Sequence, residues 1–218
     1  MDKSATASNR ESFWANLKGY HQKNHMDASV IGRRNWFANL VAKTATSKNY
    51  KDILELGCND GTNLWRIKQQ NSNLNLHGID ISSAAIKYAQ KTLQLKHVKI
   101  GSIYELKSSY ENKKFDVIYT MGVLIHIPHD MMVSVCVDML KLLKDNGQIY
   151  CAESYDDTNR ATYMHEGQAH RWVYNYKQLF AEAADSLSQP IIVNVNEIDA
   201  SMQAGNVKHL ISVNKVPS

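Results

Sequence analysis

Apolar and polar residues alternate in a regular way from residue 51 onward. Short apolar runs of strand length recur, and between them apolar residues return every three or four positions, as on one face of a helix. Strands that alternate with helices pair in parallel, because each helix returns the chain to the same edge of the sheet. The pattern predicts an α/β fold with a seven-stranded, mostly parallel sheet and helices on both faces. Strands are expected at 52–56, 74–79, 98–100, 115–120, 148–153, 191–195 and 208–213, with helices at 62–70, from Ser82 or Ser83, at 128–143 and at 176–184.

The first 45 residues lack strand-like runs and instead show two amphipathic stretches, at 11–22 and 34–43. Each spaces large apolar residues as a helix does. We expect residues 1–45 to form a helical extension that covers the active site of a domain at 46–218. The alternative is that these aromatic and aliphatic residues simply pack against that domain: Phe13, Trp14, Leu17 and Tyr20 in the first stretch, and Trp36, Phe37, Leu40 and Val41 in the second.

The first strand runs into a turn that reads Glu55-x-Gly57-x-Asn59-x-Gly61. Glycine provides backbone freedom and lets a ligand approach bare main chain. Asparagine adopts left-handed backbone angles more readily than other non-glycine residues, so Asn59 is compatible with a tight turn. The Gly-x-Gly-x-x-Gly fingerprint of dinucleotide-binding proteins is absent. The turn therefore predicts that a cofactor other than a dinucleotide lies against the backbone here; the alternative is an ordinary strand-to-helix turn.

Asp80 ends the second predicted strand, 25 residues after Glu55. An acidic side chain at this place accepts hydrogen bonds from the hydroxyls of an adenosine ribose. Asp80 could instead begin a turn and cap the helix that starts near Ser82. The separation of turn and acid favours the ribose contact.

These features resemble the first motifs of class I S-adenosylmethionine (SAM)-dependent methyltransferases, whose fold is Rossmann-like. The resemblance implies that SAM binds and that S-adenosylhomocysteine (SAH) is a product. It places the cofactor against residues of the turn, the second and third strand ends, the fourth strand end and the N-terminal extension: Glu55, Gly57, Cys58, Asn59, Gly61, Asp80, Ile81, Ser102, Ile103, Met121, Tyr20 and Arg34. Ser102 would contact the adenine amino group, with Ile103 as its apolar cover.

A narrower resemblance links the chain to the methylases associated with pseudaminic acid biosynthesis. It rests on Phe13-Trp14, Arg34-Asn35, the segment 54–59 with Asn63-Leu64, the run 122–127 and Glu153-x-Tyr155. This group implies a sugar-linked acceptor. The stretch after Tyr155 departs from the group's pattern, since Asp156-Asp157 and Gln168-Ala169-His170 stand where the group has Asn-Pro and Arg-Gly-His.

The acceptor side is predicted where the fourth and fifth strands end. His126 follows the fourth strand, and an imidazole is suited to act as a base near neutral pH, although a residue at a helix start also bonds backbone groups. Glu153 ends the fifth strand and is the second catalytic candidate. The polar stretch 154–172 is expected to be an irregular substrate loop that provides Tyr155, His170 and Arg171. No Asn/Asp-Pro-Pro-Tyr/Phe box follows the fourth strand, which disfavours methylation of DNA bases or protein amides.

Composition narrows the class of protein only a little. A chain of 218 residues that is 44% hydrophobic suits one α/β domain with a modest extension. Without a long apolar run or a signal-like N-terminus, a cytoplasmic protein is expected, either monomer or homodimer. Cys58, Cys136 and Cys151 are scattered, which suggests reduced thiols and no metal site. The net charge of +4 comes from interleaved charges without a basic block, so nucleic acid is an unlikely partner.

The leading prediction is methyl transfer from SAM to an O or N atom of a small polar metabolite, and a nucleotide-linked sugar is one candidate. An RNA methyltransferase, favoured by the basic charge with Arg33, Arg34 and Arg171, is an alternative. A SAM-binding protein without catalysis is another. A metal-dependent hydrolase is a distant option, because His126, His129, His165 and His170 match no standard zinc spacing.

Overall fold

The computed structural model describes residues 7–16, 28–166, 169–200 and 208–217, with side chains described except at 7–10, 28–34 and 164–170. The helices are α1 (Ala7–Asn16), α2 (Ala28–Ser47), α3 (Thr62–Gln70), α4 (Ser83–Lys91), α5 (Leu106–Ser109), α6 (His129–Leu142) and α7 (Tyr176–Ser186). The strands are β1 (Asp52–Leu56), β2 (Asn75–Asp80), β3 (His97–Ile100), β4 (Phe115–Met121), β5 (Leu143–Glu153), β6 (Ala161–Glu166), β7 (Ala169–Tyr174), β8 (Ile191–Glu197) and β9 (His209–Lys215). Short 3₁₀ turns span Ile103–Glu105 and Leu124–His126.

The predicted seven-stranded sheet is confirmed, with the order β3-β2-β1-β4-β5-β9-β8. Strands β1 to β5 pair in parallel, while β9 runs antiparallel to both β5 and β8. The order reverses at β1, since β2 lies on one side of it and β4 on the other. Ligands of open α/β sheets bind at the carboxyl ends of the strands beside such a reversal. Within the described residues, no helix is long and apolar enough to cross a membrane.

Side chains of β1 alternate between two hydrophobic clusters, one on each face of the sheet. Leu54 and Leu56 pack with α6 and α7, whereas Ile53 packs with α2, α3 and α4. Phe37 and Val41 of α2 are fully buried in the second cluster. The second N-terminal helix is therefore longer than the predicted 34–43, and its C-terminal half belongs to the core.

Residues 154–172 are more regular than the sequence predicted. Instead of an irregular loop, β6 and β7 form an antiparallel hairpin outside the main sheet. Polar residues in these strands obscure the period of two, but cross-strand aromatic pairs stabilise the hairpin. The rings of Tyr163 and Trp172, which are paired in register, lie 4.9 Å apart.

The first N-terminal helix is described over Ala7–Asn16, against the predicted 11–22. Leu17 and Tyr20 lie outside the described residues. The predicted boundary after residue 45 falls inside α2, which runs to Ser47, and the division of the chain there stays a prediction.

Candidate cofactor and acceptor site

The turn after β1 has the left-handed backbone that its sequence predicted. Gly57, Asn59 and Gly61 have φ values of 65°, 48° and 76°, so Asn59 does take the conformation that asparagine tolerates. A Cβ atom added to Gly57 would lie 2.5 Å from Cγ2 of Val123, and one added to Gly61 would lie 2.5 Å from Cδ1 of Leu95. Both glycines are therefore required by close packing as well as by backbone angle.

Glu55 lies beneath this turn and holds three elements together. It is only 2% exposed; its Oε1 accepts from Asn63 Nδ2 at 2.8 Å and its Oε2 accepts from the Tyr119 hydroxyl at 3.0 Å. These bonds join β1 to α3 and β4. Asn63 and Tyr119 were not predicted as site residues, although an acid within a buried strand signals that buried partners are needed.

Cys58 points away from the open edge of the sheet. Its thiol is buried, and a Cβ atom added to Gly78 of β2 would lie 2.7 Å from its sulfur. Burial, followed by the nearby carboxylates, raises the pKa of this thiol well above its usual value. Only the backbone of Cys58 is thus available to a cofactor, and its N–H already donates to the Ile79 carbonyl at 3.1 Å.

Asp80 connects the turn to the start of α4. Its Oδ2 accepts from the Asn59 N–H and its Oδ1 from the Ser82 N–H, both at 2.8 Å. Ser82 in turn caps α4 by accepting from the Ala85 N–H. Burial raises the pKa of the Asp80 carboxyl, while these two backbone bonds act in the opposite direction. Each oxygen keeps a further lone pair, so these two backbone bonds and a ribose contact are compatible.

Helix α1 reaches the same edge of the sheet at two points. The Ser102 hydroxyl donates to the Glu11 carboxylate and accepts from the Tyr104 N–H at 3.0 Å. The rings of Trp14 and His126 lie 4.5 Å apart. Trp14 was expected only as a packing residue, and Glu11 was not singled out. Ile81 and Ile103 flank this region and are half-buried, whereas Tyr20 and the side chain of Arg34 lie outside the described residues.

Glu153 fixes the loop that carries His126. The Glu153 side chain is 0% exposed, and its Oε1 accepts from the N–H groups of Val123 at 3.0 Å and Leu124 at 3.1 Å. Burial raises its pKa to about 7, against the lowering effect of the backbone N–H groups around it. Met121 ends β4 just before this loop, and Gly122 has a φ of 66°. The carboxylate therefore faces the backbone of the loop instead of the open edge.

The hairpin covers the β4 and β5 side of the site. The Tyr174 hydroxyl donates to the Ile127 carbonyl at 2.7 Å, which ties β7 to the loop after β4. Arg171 is 9% exposed, and the Tyr155 ring lies 5.6 Å from that of His209. The backbone of His170 pairs with His165 across the hairpin, but both side chains lie outside the described residues.

The described residues contain no group of three or more His, Cys, Asp or Glu side chains that could hold a metal ion. His129 is instead engaged structurally: its Nε2 lies 2.8 Å from Arg160 Nη1, and its ring stacks 5.9 Å from Trp172. Arg160 also pairs with Glu182 of α7 at 2.5 Å. These contacts give His129 a role in joining α6, the hairpin and α7.

The residues at this edge fit an adenosine cofactor with an amino-acid tail. The backbone of Gly57 and Asn59 in the left-handed turn is partly exposed, and Asp80 offers carboxylate lone pairs to hydroxyl donors. Ser102 provides a hydroxyl, and Ile81, Ile103 and Met121 are partly exposed apolar neighbours. A cation such as a sulfonium is favoured beside these carboxylates and backbone carbonyls.

Comparison with known proteins agrees with this arrangement. Residues 54–149 match the family model described as a methyltransferase domain. A ubiquinone biosynthesis O-methyltransferase from Pasteurella multocida (strain Pm70) is 27% identical over 155 residues, which cover 64% of this chain and 58% of that protein. The chain thus spans less than two thirds of that relative's length.

Two solved structures share the fold over most of their length. Magnesium protoporphyrin IX methyltransferase from Synechocystis PCC 6803, with bound SAH, has a TM-score of 0.69 at 10% identity, covering 98% of this chain and 100% of that one. A SAM-bound amino pentose methyltransferase from Micromonospora echinaspora has a TM-score of 0.64 at 11% identity, and the match covers 89% of this chain and 94% of that one. Residues 54–149 thus match a family model described as a methyltransferase domain, and the chain shares its Rossmann-like fold with these two methyltransferase structures.

Proposed function

We propose that this protein transfers a methyl group from SAM to an O or N atom of a small polar metabolite. The observation that carries the proposal is the convergence of three elements at one sheet edge. These are the left-handed turn with Asp80, the Ser102 hydroxyl under α1, and the His126 loop beneath the hairpin. The first two elements suit the cofactor. The third carries the imidazole of His126, which lies beside them.

SAM supplies a methyl group already activated by its sulfonium, so the chain's own task is to align the acceptor and remove its proton. We assign proton removal to the imidazole of His126 when the acceptor is a hydroxyl. The His126 side chain is half-buried, and the Trp14 ring 4.5 Å away limits its orientation. An amine acceptor that is already neutral would not need this base.

Glu153 acts in this proposal as a positioning residue and not as a catalytic one. Its carboxylate bonds two consecutive N–H groups just before the 3₁₀ turn Leu124–His126. Loss of these bonds would let the turn move and with it the His126 ring. A base that is misplaced by about 1 Å costs on the order of 10²-fold in rate.

A nucleotide-linked sugar is the acceptor class that we favour. Two points support it: the sequence resembles the methylases associated with pseudaminic acid biosynthesis, and the amino pentose methyltransferase shares the fold. The buried cation of Arg171 in the hairpin adds a group suited to pair with phosphate or carboxylate. Arg171, Tyr155 and His170 are the proposed acceptor contacts.

The test is incubation of the purified protein with SAM and separate pools of nucleotide sugars, amino sugars and total RNA, followed by mass spectrometry. A methylated sugar product that His126→Asn fails to form would support the proposal, and its fragmentation would identify the atom. A methylated RNA product alone would favour the RNA methyltransferase. SAM binding measured by calorimetry without turnover in any pool would favour the non-catalytic alternative.

A further inference from the structure

A second candidate site lies at the amino-terminal ends of β2 and β3, opposite the edge that carries Asp80. A cavity of about 510 Å³ opens there between β3 and the segment after α5. We call it the basic groove; the side chains that matter to its chemistry are His77, Lys96, His97, Lys99, Tyr110 and Lys113. Its volume lies in the range of roughly 300–1,000 Å³ that small-molecule sites occupy.

Positive charge dominates the basic groove. Lys96, Lys99 and Lys113 line it, and Glu111 is the one carboxylate among its lining residues. Two of the lysines are held in place by neighbouring groups, Lys99 by residues of the groove wall and Lys113 by Asp52 outside it. The Lys99 ammonium lies 3.8 Å from the centre of the Tyr110 ring and donates to the Ser109 carbonyl, and Lys113 lies 3.6 Å from an Asp52 oxygen. Cations fixed in this way are arranged for an anion before it binds.

His77 forms a buried polar wall of the groove. It is 8% exposed, stacks 4.9 Å from the His97 ring, and packs 5.3 Å from Phe115. Among the described residues, the contacts of its ring are these aromatic packing contacts, and no hydrogen bond to another protein group is made. A ligand in the groove would accept a hydrogen bond from the ring N–H of His77.

The protonation state of His77 is consistent with a role as hydrogen-bond donor to a ligand in the groove. Burial, followed by Lys113, His97 and Lys99, lowers its pKa to about 4, and Asp52 opposes the shift. The ring is therefore neutral at pH 7 and carries one N–H donor. The lysines that disfavour a positive charge on this ring would favour a negative group beside it.

We infer that the basic groove binds a phosphate or pyrophosphate group of a small metabolite, with His77 as donor and the three lysines as counter-charges. A metal ion would be repelled by the lysines. A long nucleic acid needs a basic track, whereas these lysines are confined to residues 96–113. The inference is independent of the proposed methyl transfer, since it concerns the opposite edge of the sheet.

Calorimetry of the full chain with inorganic pyrophosphate at low salt tests the inference. Lys96→Gln should weaken binding about two- to fivefold, as expected for one exposed charge pair. His77→Phe keeps the ring and its stacking but removes the donor, and should weaken binding about fivefold or more. The matched control is Lys177→Gln on α7, outside the groove, which should leave the affinity unchanged.

A second readout does not depend on how the variants fold. In NMR titrations of the parent protein, saturating pyrophosphate should raise the pKa of His77, because an anion stabilises the charged imidazole. Absence of binding, an unmoved His77 pKa, or equal weakening by Lys177→Gln would overturn the inference. An RNA oligomer that binds more tightly and displaces pyrophosphate would also overturn it, in favour of a nucleic-acid surface.

Discussion

The turn after β1 and the loop after β4 are neighbours at one sheet edge, but different kinds of contact hold them. The turn is fixed by partners from adjacent motifs: Asp80 binds the Asn59 N–H, and Asn63 binds Glu55 only 8 residues away. The loop depends on distant partners, since Glu153 is 30 residues from Val123 and Tyr174 is 47 residues from Ile127. The part of the site proposed for the cofactor thus rests on a local motif, and the part proposed for the acceptor rests on tertiary contacts.

Disrupting the turn after β1 should have the largest effect, a loss of SAH binding. Gly57→Val places a branched side chain at a φ of 65° and within 2.5 Å of a Val123 methyl group, so we expect SAH binding to be lost in calorimetry. Gly57→Ala combined with Val123→Ala separates the two causes, because it relieves the clash but not the backbone strain. Full SAH affinity in a folded Gly57→Val protein would contradict the role given to the turn.

The loop is tested next by His126→Asn. If His126 removes the acceptor proton, turnover should fall by ~10²–10⁴ while SAH affinity stays close to that of the parent. The parent rate should rise with pH through an apparent pKa of about 6 to 7. The control is Trp14→Phe, which keeps a ring beside His126 and should retain most activity. Nearly unchanged turnover in His126→Asn would make this residue structural.

Glu153→Gln tests whether the side chain that anchors the loop holds a proton in the folded state. The folded pKa of about 7 lies above the usual value of 4.5, so the native state holds a proton that the unfolded state releases between these two values. The contribution of Glu153 to the free energy of unfolding is fully present below about pH 4.5. As the pH rises to 7, this contribution falls by on the order of 3 kcal/mol.

Glutamine keeps an acceptor for the two N–H groups and removes this titration. Glu153→Gln should therefore lose less stability than the parent between pH 5 and pH 8, as measured by urea unfolding. Glu182→Gln, at an exposed ion pair of α7, is the matched control. Parallel stability curves for the parent and Glu153→Gln would show that Glu153 does not carry this buried proton.

The smallest effect is expected for Asp80→Ala. Loss of hydrogen bonds to a charged acceptor, each worth roughly 1.5–3 kcal/mol before compensation, should weaken SAH binding by at least about tenfold. Asp80→Asn keeps an acceptor for only one of the Asn59 and Ser82 N–H groups, so it removes the charge together with one backbone hydrogen bond. Unchanged SAH affinity in a folded Asp80→Ala protein would rule out the ribose contact and leave Asp80 as an acceptor for the N–H groups of Asn59 and Ser82.

Local signals in the sequence determined much of the region proposed for the cofactor, which comprises the turn after β1 and Asp80. The left-handed Asn59, the cap provided by Ser82 and the seven strands all follow from short-range preferences of backbone and hydrophobic pattern. The placement of Asp80 beside the turn followed from the parallel order of β1 and β2.

Only the tertiary structure determined the region proposed for the acceptor, which comprises the loop after β4 and the β6–β7 hairpin. Nothing local shows that residues 161–174 form a hairpin, because its strands are stabilised by aromatic pairs and by the bond from Tyr174 to Ile127. Nor does sequence position show that Glu153 faces the backbone of the His126 loop, or that Glu11 and Trp14 of α1 meet Ser102 and His126. A residue's type sets what it can bond, but the direction in which it points depends on elements that are distant in the chain.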